Sequence, residues 1–391
     1  MEPGEATIPV EMGFMPASHA IADPDHPGLL RAGPRTAAPY ATEGVEVHVC
    51  QATDRAGEGV AQPALLEDGF ETADLSGLAA LQEALAAVRR AGRVTEADAE
   101  RIRSELVGAT LQLPSGVSAQ VLFIAEEGFI MRSTGPNRLR VIGPEPTGMN
   151  DHGAATSVHA DQDVYGTPLA QLMDGRAPSL FRHDSPDGAN HDASLMLVNL
   201  WIPLQQITAP LVLADGRSVD RRRHQLRYGL PTESFLDRDE DQVINDIWTF
   251  LHDPGQRWSF RSEMDHRHAY VFNTLSTPHG SCVLPGEDVA EACYRLLDAA
   301  EAAVLGGDVR GLTALLADAE RPQLPERTTP ALREAIAAMI AVIEEASADP
   351  AAVCGARASA WLASASEARR RVVRMSLEMR LVVSIEVPAP A

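Results

Sequence analysis

The segment Ser194-Leu-Met-Leu-Val-Asn-Leu-Trp-Ile-Pro-Leu204 is the longest apolar run in the chain, and Asn199 interrupts it. A bilayer span takes about 20 residues, so this run is too short to cross a membrane and fits a buried strand. Many short apolar runs without alternating helices predict an antiparallel sandwich or jelly roll. From about residue 116 the candidate strands are Gln120–Ile124, Gly128–Ser133, Leu139–Ile142, Ser157–Asp161, Leu195–Ile202, Leu211–Leu213, Ile247–Leu251 and Ala269–Asn273.

The region upstream of these strands has a different texture. Residues 1–42 are rich in Pro, Gly and Ala without periodicity, which predicts an irregular arm. Glu43–Cys50 alternates and predicts a first strand. Two amphipathic helices are expected to follow, the first stopped by Gly92 and the second opened by a capping box at Thr95.

Downstream, residues 286–368 are rich in Ala, Leu and Glu at helical spacing, whereas Val372–Val387 is rich in β-branched residues. A helical block therefore precedes the last strand of a β core. We expect its helices to pack outside the core, covering the site mouth or forming a homodimer contact, because their apolar stripes need a partner surface. The chain is thus predicted to be α+β, with an N-terminal arm and helical support at 1–115, a jelly-roll core at 116–285, a helical insertion at 286–368 and a closing core strand at 369–391.

Composition restricts the classes of partner. The formal net charge of −22 argues against nucleic acid and anionic membranes, since both attract basic surfaces. The N-terminus has no basic segment followed by an apolar one, so no secretory signal is apparent and a cytoplasmic protein is expected. The four cysteines form no CxxC pair, which indicates neither a zinc site nor a disulfide framework.

Three residues form a candidate metal site. His159 and Asp161 belong to the one His-x-Asp triplet of the chain, and residues i and i+2 of a strand point to the same face. His279, within Thr277-Pro278-His279-Gly280-Ser281, offers a second imidazole from another strand. Two imidazoles and one carboxylate are the ligand set of non-heme Fe(II) oxygenases. Competitors for the place of His279 are His152, His183, His191, His266 and His268.

Arg374 and Ser376 alternate on one face of the predicted closing strand, directed inward if Val373 and Leu377 face the other way. A guanidinium fork beside a hydroxyl suits the distal carboxylate of 2-oxoglutarate. Arg295, on a predicted amphipathic helix, is the rival anchor.

The remaining polar residues near these strands have simpler interpretations. Glu378 and Arg380 continue the alternation of the closing strand, and we interpret them as the charged outer face of an edge strand. Asn199 is polar within an apolar strand, and a buried amide needs partners. We therefore expect Asn199 to donate a hydrogen bond to the keto acid or the substrate.

The order of these motifs resembles the iron/2-oxoglutarate oxygenases grouped with the CmcJ protein of cephamycin biosynthesis, AsaB-type fungal hydroxylases and the gibberellin desaturase. The similar segments run along almost the whole chain. They are Asp68-Gly69-Phe70-Glu71, Asn199-Leu-Trp-Ile-Pro-Leu204, Leu211-Val-Leu-Ala-Asp-Gly-Arg-Ser-Val-Asp220, Thr277-Pro-His-Gly-Ser281 and Arg374-Met-Ser-Leu-Glu-Met-Arg380.

The resemblance implies a double-stranded β-helix that binds Fe(II) through His159, Asp161 and His279. It also implies 2-oxoglutarate and O₂ as co-substrates, with Arg374 and Ser376 binding the distal carboxylate. The expected activity is oxidation of an unactivated C–H bond of a small natural-product intermediate, by hydroxylation, desaturation or cyclisation. The chain departs from the family at Ile202, where an Arg is usual, and in the helical block that separates His279 from Arg374.

Three alternatives remain open at this stage. A non-heme iron oxidase that uses no keto acid would keep the metal ligands and use Arg374 to bind its substrate. A mononuclear hydrolase or isomerase would use a similar metal set. A non-catalytic protein that binds small molecules could share the fold.

Overall fold

The computed structural model describes residues 7–33, 45–57, 59–125, 129–142, 148–162, 182–185, 188–190, 193–231, 244–317 and 323–387. Its strands are β1 Thr7–Phe14, β2 Ala20–Ala22, β3 Leu30–Ala32, β4 Glu46–Asp54, β5 Phe70–Asp74, β6 Thr110–Gln112, β7 Ser118–Ile124, β8 Ile130–Thr134, β9 His159–Ala160, β10 His183–Ser185, β11 Gly188–Asn190, β12 Leu195–Pro203, β13 Leu211–Ala214, β14 Gln225–Pro231, β15 Ile244–Phe250, β16 Trp258–Phe260, β17 His268–Asn273, β18 His279–Ser281 and β19 Arg374–Glu386. Its helices are α1 Leu65–Asp68, α2 Ala79–Ala91, α3 Glu96–Leu106, α4 Arg221–His224, α5 Glu287–Leu305, α6 Val309–Ala317, α7 Pro330–Ala348, α8 Pro350–Val353 and α9 Ala358–Arg371.

Among these described residues, the strands form a ten-stranded larger sheet, a seven-stranded smaller sheet and the hairpin β10–β11. The larger sheet has the order β1-β4-β16-β13-β18-β9-β15-β14-β3-β2. Its edge strand β1 curls back, because the backbone of Glu11 bridges to Val283 and the carbonyl of Gly13 accepts from the amide of Val158 at 2.8 Å. The sheet is therefore nearly closed, and the chain has an α+β fold of the jelly-roll type.

The smaller sheet has the order β5-β17-β12-β19-β7-β6, with β8 also paired to β19. The apolar run of β12 is paired on both edges, by β17 and β19, and is buried on both faces because α2 and α3 cover one face and the larger sheet covers the other. Towards the larger sheet, Trp201, Tyr270 and Phe272 pack against Leu211 and Leu213. These side chains form the apolar core between the two sheets.

The opposite face of the smaller sheet packs against α2 and α3. Helix α2 ends at Gly92, which has a φ of 66° that suits glycine. Helix α3 begins with the expected capping box, in which the Thr95 hydroxyl accepts from the amide of Asp98 and the Asp98 carboxylate accepts from that of Thr95. Both helix boundaries lie where the sequence predicts them.

Helices α5 to α9 lie between β18 and β19 in the chain and share one buried apolar cluster with the larger sheet. Trp361 of α9 is buried and donates its indole N–H to the carbonyl of Val342 in α7 at 3.0 Å. The apolar stripes of these helices are therefore covered. Contact with a second copy of the chain through the block stays a prediction, as do the domain boundaries.

Two local expectations differ from the structure. The described part of residues 1–42 contains β1, β2 and β3, so it is not an irregular arm, because pairing with β4 and β14 overrides its weak periodicity. Over the described range 129–142, a 3₁₀ turn at Pro136–Arg138 replaces the strand expected at Leu139–Ile142. Gly128, the expected start of another strand, lies outside the described residues.

No helix in the described part of the chain has the length and apolar character needed to cross a membrane.

Packing of the helices on the smaller sheet can be tested at Leu377, which is fully buried on the α2–α3 side of β19. We expect Leu377→Ala to lower the free energy of unfolding by about 2–5 kcal/mol, because it leaves a cavity in the core. Leu122→Ala in β7 is the control, since Leu122 is 39% exposed and should change stability by less than about 1 kcal/mol. Urea unfolding followed by circular dichroism measures both, and equal losses would contradict this packing.

Candidate metal centre

Two adjacent strands of the larger sheet bring the predicted histidines together. His159 in β9 lies directly opposite His279 in β18, and on its other side it pairs with Thr249 of β15. Directly opposed residues of antiparallel strands point to the same face. Asp161 follows β9 two residues after His159 and therefore returns to that face.

The three side chains converge on one point. Their ligand atoms all lie within 4.8 Å of one another, and all three residues are buried. Nε2 of His159 is 3.4 Å from Oδ1 of Asp161, and Nε2 of His279 is 3.5 Å from Oδ2. The two imidazole rings are 4.4 Å apart between centroids. A divalent cation could be held by two nitrogens and one carboxylate oxygen, which is the donor set that Fe(II) accepts.

Backbone carbonyls fix the orientation of both rings. Nδ1 of His159 is 2.9 Å from the carbonyl oxygen of Ser157, and Nδ1 of His279 is 3.0 Å from that of Thr277. A carbonyl oxygen can only accept, so each Nδ1 carries the proton and each Nε2 is left with its lone pair. Second bonds of this kind orient metal-binding histidines in proteins.

The protonation states of Asp161 and His279 also suit the binding of a cation. Burial would raise the pKa of Asp161, but His279, His159 and Arg380 outweigh it and hold that pKa well below its usual value. Burial and the neighbouring His159 lower the pKa of His279 to about 4. At neutral pH the carboxylate is ionised and His279 is neutral, as metal binding requires.

Asn199 of β12 reaches the site from the smaller sheet. Its Nδ2 donates to Oδ2 of Asp161 and, at 2.9 Å, to Oε1 of Glu378. Its Oδ1 accepts from the hydroxyl of Thr274 at 2.6 Å. Both amide hydrogens are therefore used within the protein, and the hydrogen bond from Asn199 to a keto acid that we expected from the sequence has no free donor in this arrangement.

Glu378 and Arg380 are not on an outer face. Strand β19 is central, between β12 on one side and β7 and β8 on the other, so both side chains are buried. Nη2 of Arg380 lies 3.7 Å from Oδ1 of Asp161, and the carboxylate of Glu378 accepts a hydrogen bond from Nε of Arg132 at 3.1 Å. The interpretation as an exposed edge was wrong because β8 and β7 pair with that side of β19.

Arg374 and Ser376 share this inward face, and Arg374 is 4% exposed. Its Nη2 donates to Oγ of Ser281 at 3.0 Å, whereas the described residues offer its Nε no hydrogen-bond acceptor and its guanidinium no carboxylate at ion-pair distance. The hydroxyl of Ser376 is likewise without a partner in that part of the chain. Burial and Arg132 lower the pKa of Arg374 to about 10, which still leaves it charged at neutral pH. A buried cation and an unpaired hydroxyl fit an anionic ligand.

The competing residues have other contacts. His152 binds the carbonyl of Gly148, His266 contacts Arg89, and His268 contacts Asp265. Arg295 pairs with Glu291 on the surface of α5. Of the residues that the structure describes, those grouped as metal donors are His159, Asp161 and His279. The side chain of His183 and the whole of His191 lie outside the described part of the chain.

Sequence reasoning missed Thr274 and the inward role of Glu378 and Arg380. The signal available for the latter was the unbroken alternation from Arg374 to Arg380, which places all four polar residues on one face. Nothing in the local pattern singles out Thr274.

Comparisons with known proteins give partial matches. A family model described as "Oxidoreductase/YMDC permease-like domain" (YDMC) matches residues 121–283, which include the three metal-site residues and end before Arg374. A search of curated proteins gives no match. The match to the family model covers less than half of the chain and leaves its family open.

Among solved structures, the iron and alpha-ketoglutarate-dependent endoperoxidase NvfI aligns with a TM-score of 0.43 at 13% identity, covering 97% of this chain and 98% of that chain. The same enzyme in a different conformation gives 0.42 at 12% identity, covering 97% and 99%. A single-residue variant of it gives 0.47 at 13% identity, covering 98% and 99%. TM-scores below 0.5 do not establish a common fold, so the site has to be interpreted from its own geometry.

Substitution of Asp161 tests the metal centre directly. We expect Asp161→Asn to weaken Co(II) binding by more than the 10–100-fold typical of outer-shell changes, because an anionic ligand is lost. Anaerobic Co(II) titration followed by visible absorption measures the affinity. Asp265→Asn, at a carboxylate paired with Arg267 on the surface, is the control and should bind Co(II) like the unaltered protein. Unchanged affinity in Asp161→Asn would rule out this centre.

Proposed function

We propose that the chain is an Fe(II)/2-oxoglutarate-dependent oxygenase with a double-stranded β-helix core, of the CmcJ/AsaB hydroxylase–desaturase type. The observation that carries the proposal is the buried His159–Asp161–His279 group together with two features of β19: among the described residues, the guanidinium of Arg374 has no carboxylate partner and the hydroxyl of Ser376 has no hydrogen-bond partner. The His159–Asp161–His279 group fits a metal ion, and Arg374 with Ser376 fits the distal carboxylate of a dicarboxylate. The motif resemblance supports the same assignment.

The residues fit Fe(II) because His159, His279 and Asp161 would hold it through two imidazole nitrogens and one carboxylate oxygen, a set that leaves room for further ligands. Asn199 donates to Oδ2 of Asp161, which favours binding of the metal through the other oxygen. When bound, the iron would activate O₂ as the oxidant, with two of its four oxidising equivalents converting the keto acid to succinate and CO₂ and the other two left for the substrate.

The keto acid fits the distance between the two sets of residues. Arg374 donates to Ser281, which lies two residues beyond His279 on the same strand and face. Two residues of strand span about 7 Å, a separation that a five-carbon dicarboxylate can bridge. In this arrangement Arg374 and Ser376 bind the distal carboxylate while the other end reaches the metal.

The remaining residues orient and shield the site. Phe272 packs against the ring of His279, with 4.6 Å between centroids, and belongs to the apolar core between the sheets. Water is excluded from that side of His279. Asn199 acts as a positioning residue for Asp161, which replaces our expectation that it binds the keto acid.

The substrate we propose is a small natural-product intermediate oxidised at an unactivated C–H bond, by hydroxylation, desaturation or cyclisation. The family resemblance supports this class. The second candidate, a keto-acid-independent iron oxidase, would use Arg374 to bind an acidic substrate. A test at Arg374 distinguishes the two.

We expect anaerobic Fe(II) protein to develop a weak visible charge-transfer band on addition of 2-oxoglutarate. Arg374→Gln should lower the apparent affinity for the keto acid at least 10-fold, since a charge-assisted bidentate contact is lost. Arg295→Gln is the matched surface control and should titrate like the unaltered protein. Substrate oxidation without any such band and without keto-acid consumption would favour the second candidate.

Substitution of Asn199 distinguishes between two roles for this residue, positioning Asp161 and binding the keto acid. If Asn199 positions Asp161, Asn199→Ala should weaken Co(II) binding about 10–100-fold even when no keto acid is present. If Asn199 instead binds the keto acid, Co(II) affinity should be unchanged and only the titration with 2-oxoglutarate should shift. Both titrations use the same apo-protein preparation, and Ser376→Ala serves as the comparison because it should affect the keto-acid titration alone.

A further inference from the structure

The turn that carries His279 is held from several directions. We define the distal turn as residues 274–278, between β17 and β18. Just before it, the amide of Asn273 donates to the carbonyl of Gly69 at 2.9 Å, and the hydroxyl of Thr277 donates to the same carbonyl at 2.8 Å. One carbonyl oxygen thus binds both ends of the turn.

Gly69 has the conformation that this contact requires. Its φ is 93°, in the region that favours glycine, and it ends the short helix α1. A Cβ atom added at Gly69 would lie 2.8 Å from Oγ1 of Thr277, too close for any real contact. A side chain at position 69 would therefore displace the hydroxyl of Thr277 from the carbonyl.

Two residues from the segment 211–221 bind the other side of the distal turn. The guanidinium of Arg221, which is 8% exposed, donates from Nη1 to the carbonyl of Ser276 at 2.8 Å. The amide of Ala214 donates to the carbonyl of Pro278 at 2.9 Å. The same segment is joined to the residues before Gly69, because Arg217 forms an ion pair with Asp68.

Two sequence motifs without an assigned role, those around Gly69 and Arg217, therefore meet the motif that carries Thr277 and His279 at one place. We propose that Gly69, Thr277 and Arg221 are positioning residues for His279. They hold the distal turn so that the carbonyl of Thr277 accepts from Nδ1 of His279 and Nε2 points to the metal. This inference rests on the proposed function, since it assigns a purpose to the orientation of a metal ligand.

The contacts could also serve only the stability of the loop, and the two roles predict different results. Positioning predicts a loss of metal affinity and a changed ligand field at sites that do not touch the metal. Loop stability alone predicts a lower melting temperature with normal metal binding once the protein is folded.

The test uses Co(II) titration of the apo-protein under nitrogen, followed by the visible d–d spectrum. We expect Thr277→Val, which keeps the shape and removes the hydroxyl, to bind Co(II) about 10–100-fold more weakly and with an altered spectrum. Thr277→Ser, which restores the hydroxyl, should return both towards the unaltered protein. Gly69→Ala and Arg221→Gln should act like Thr277→Val, and thermal melts of the apo-proteins show whether each variant is folded.

Ser218→Ala is the control, because Ser218 lies in the same motif as Arg217 but bonds to Asp215 and Arg257 away from the turn. If folded Thr277→Val binds Co(II) normally, or if Thr277→Ser is as impaired as Thr277→Val, the inference is wrong and the proposed function stands. If the unaltered protein itself does not bind Co(II), the proposed function fails and the inference with it.

Discussion

The buried carboxylate of Asp161 is the charge around which both sheets are arranged. Removing a carboxylate from water costs several kcal/mol unless other groups compensate it. Here Asn199 and Arg380 compensate it from the smaller sheet, while Nε2 of His159 and of His279 face it from the larger sheet, where a bound cation would lie between them. Because these groups come from both sheets, the position of Asp161 depends on how the sheets face each other.

The polar face of β19 continues the group of charged residues from Asp161 to Arg374 and Ser376, the proposed anion-binding residues. Arg132, Arg374 and Arg380 contribute three positive charges around the site, and Asp161 and Glu378 contribute two negative ones. A divalent cation bound together with a dianionic keto acid would leave that balance unchanged. All 33 basic residues of the chain are arginines, and an arginine stays charged when buried where a lysine readily loses its proton.

Much of the candidate site could be predicted from residue patterns, because alternation along a strand fixes which side chains share a face. That rule was enough for His159 with Asp161 and for Arg374 with Ser376, and helix capping at Thr95 and Gly92 was equally local. It could not show that β19 is central, since the pairing of β8 and β12 with it depends on contacts between residues far apart in the chain. For the same reason the partners of Asn199 and the small strand β16 escaped prediction.

The helical block between β18 and β19 has a consequence for the biogenesis of the protein. Strand β19 leaves the ribosome after every other described strand, yet it fills the centre of the smaller sheet between β12 and β7. Until it arrives, β12 exposes an unpaired apolar edge, the kind of edge that promotes aggregation. Helices α5 to α9 emerge during that interval, so β12 cannot pair with β19 until the whole helical block has been synthesised.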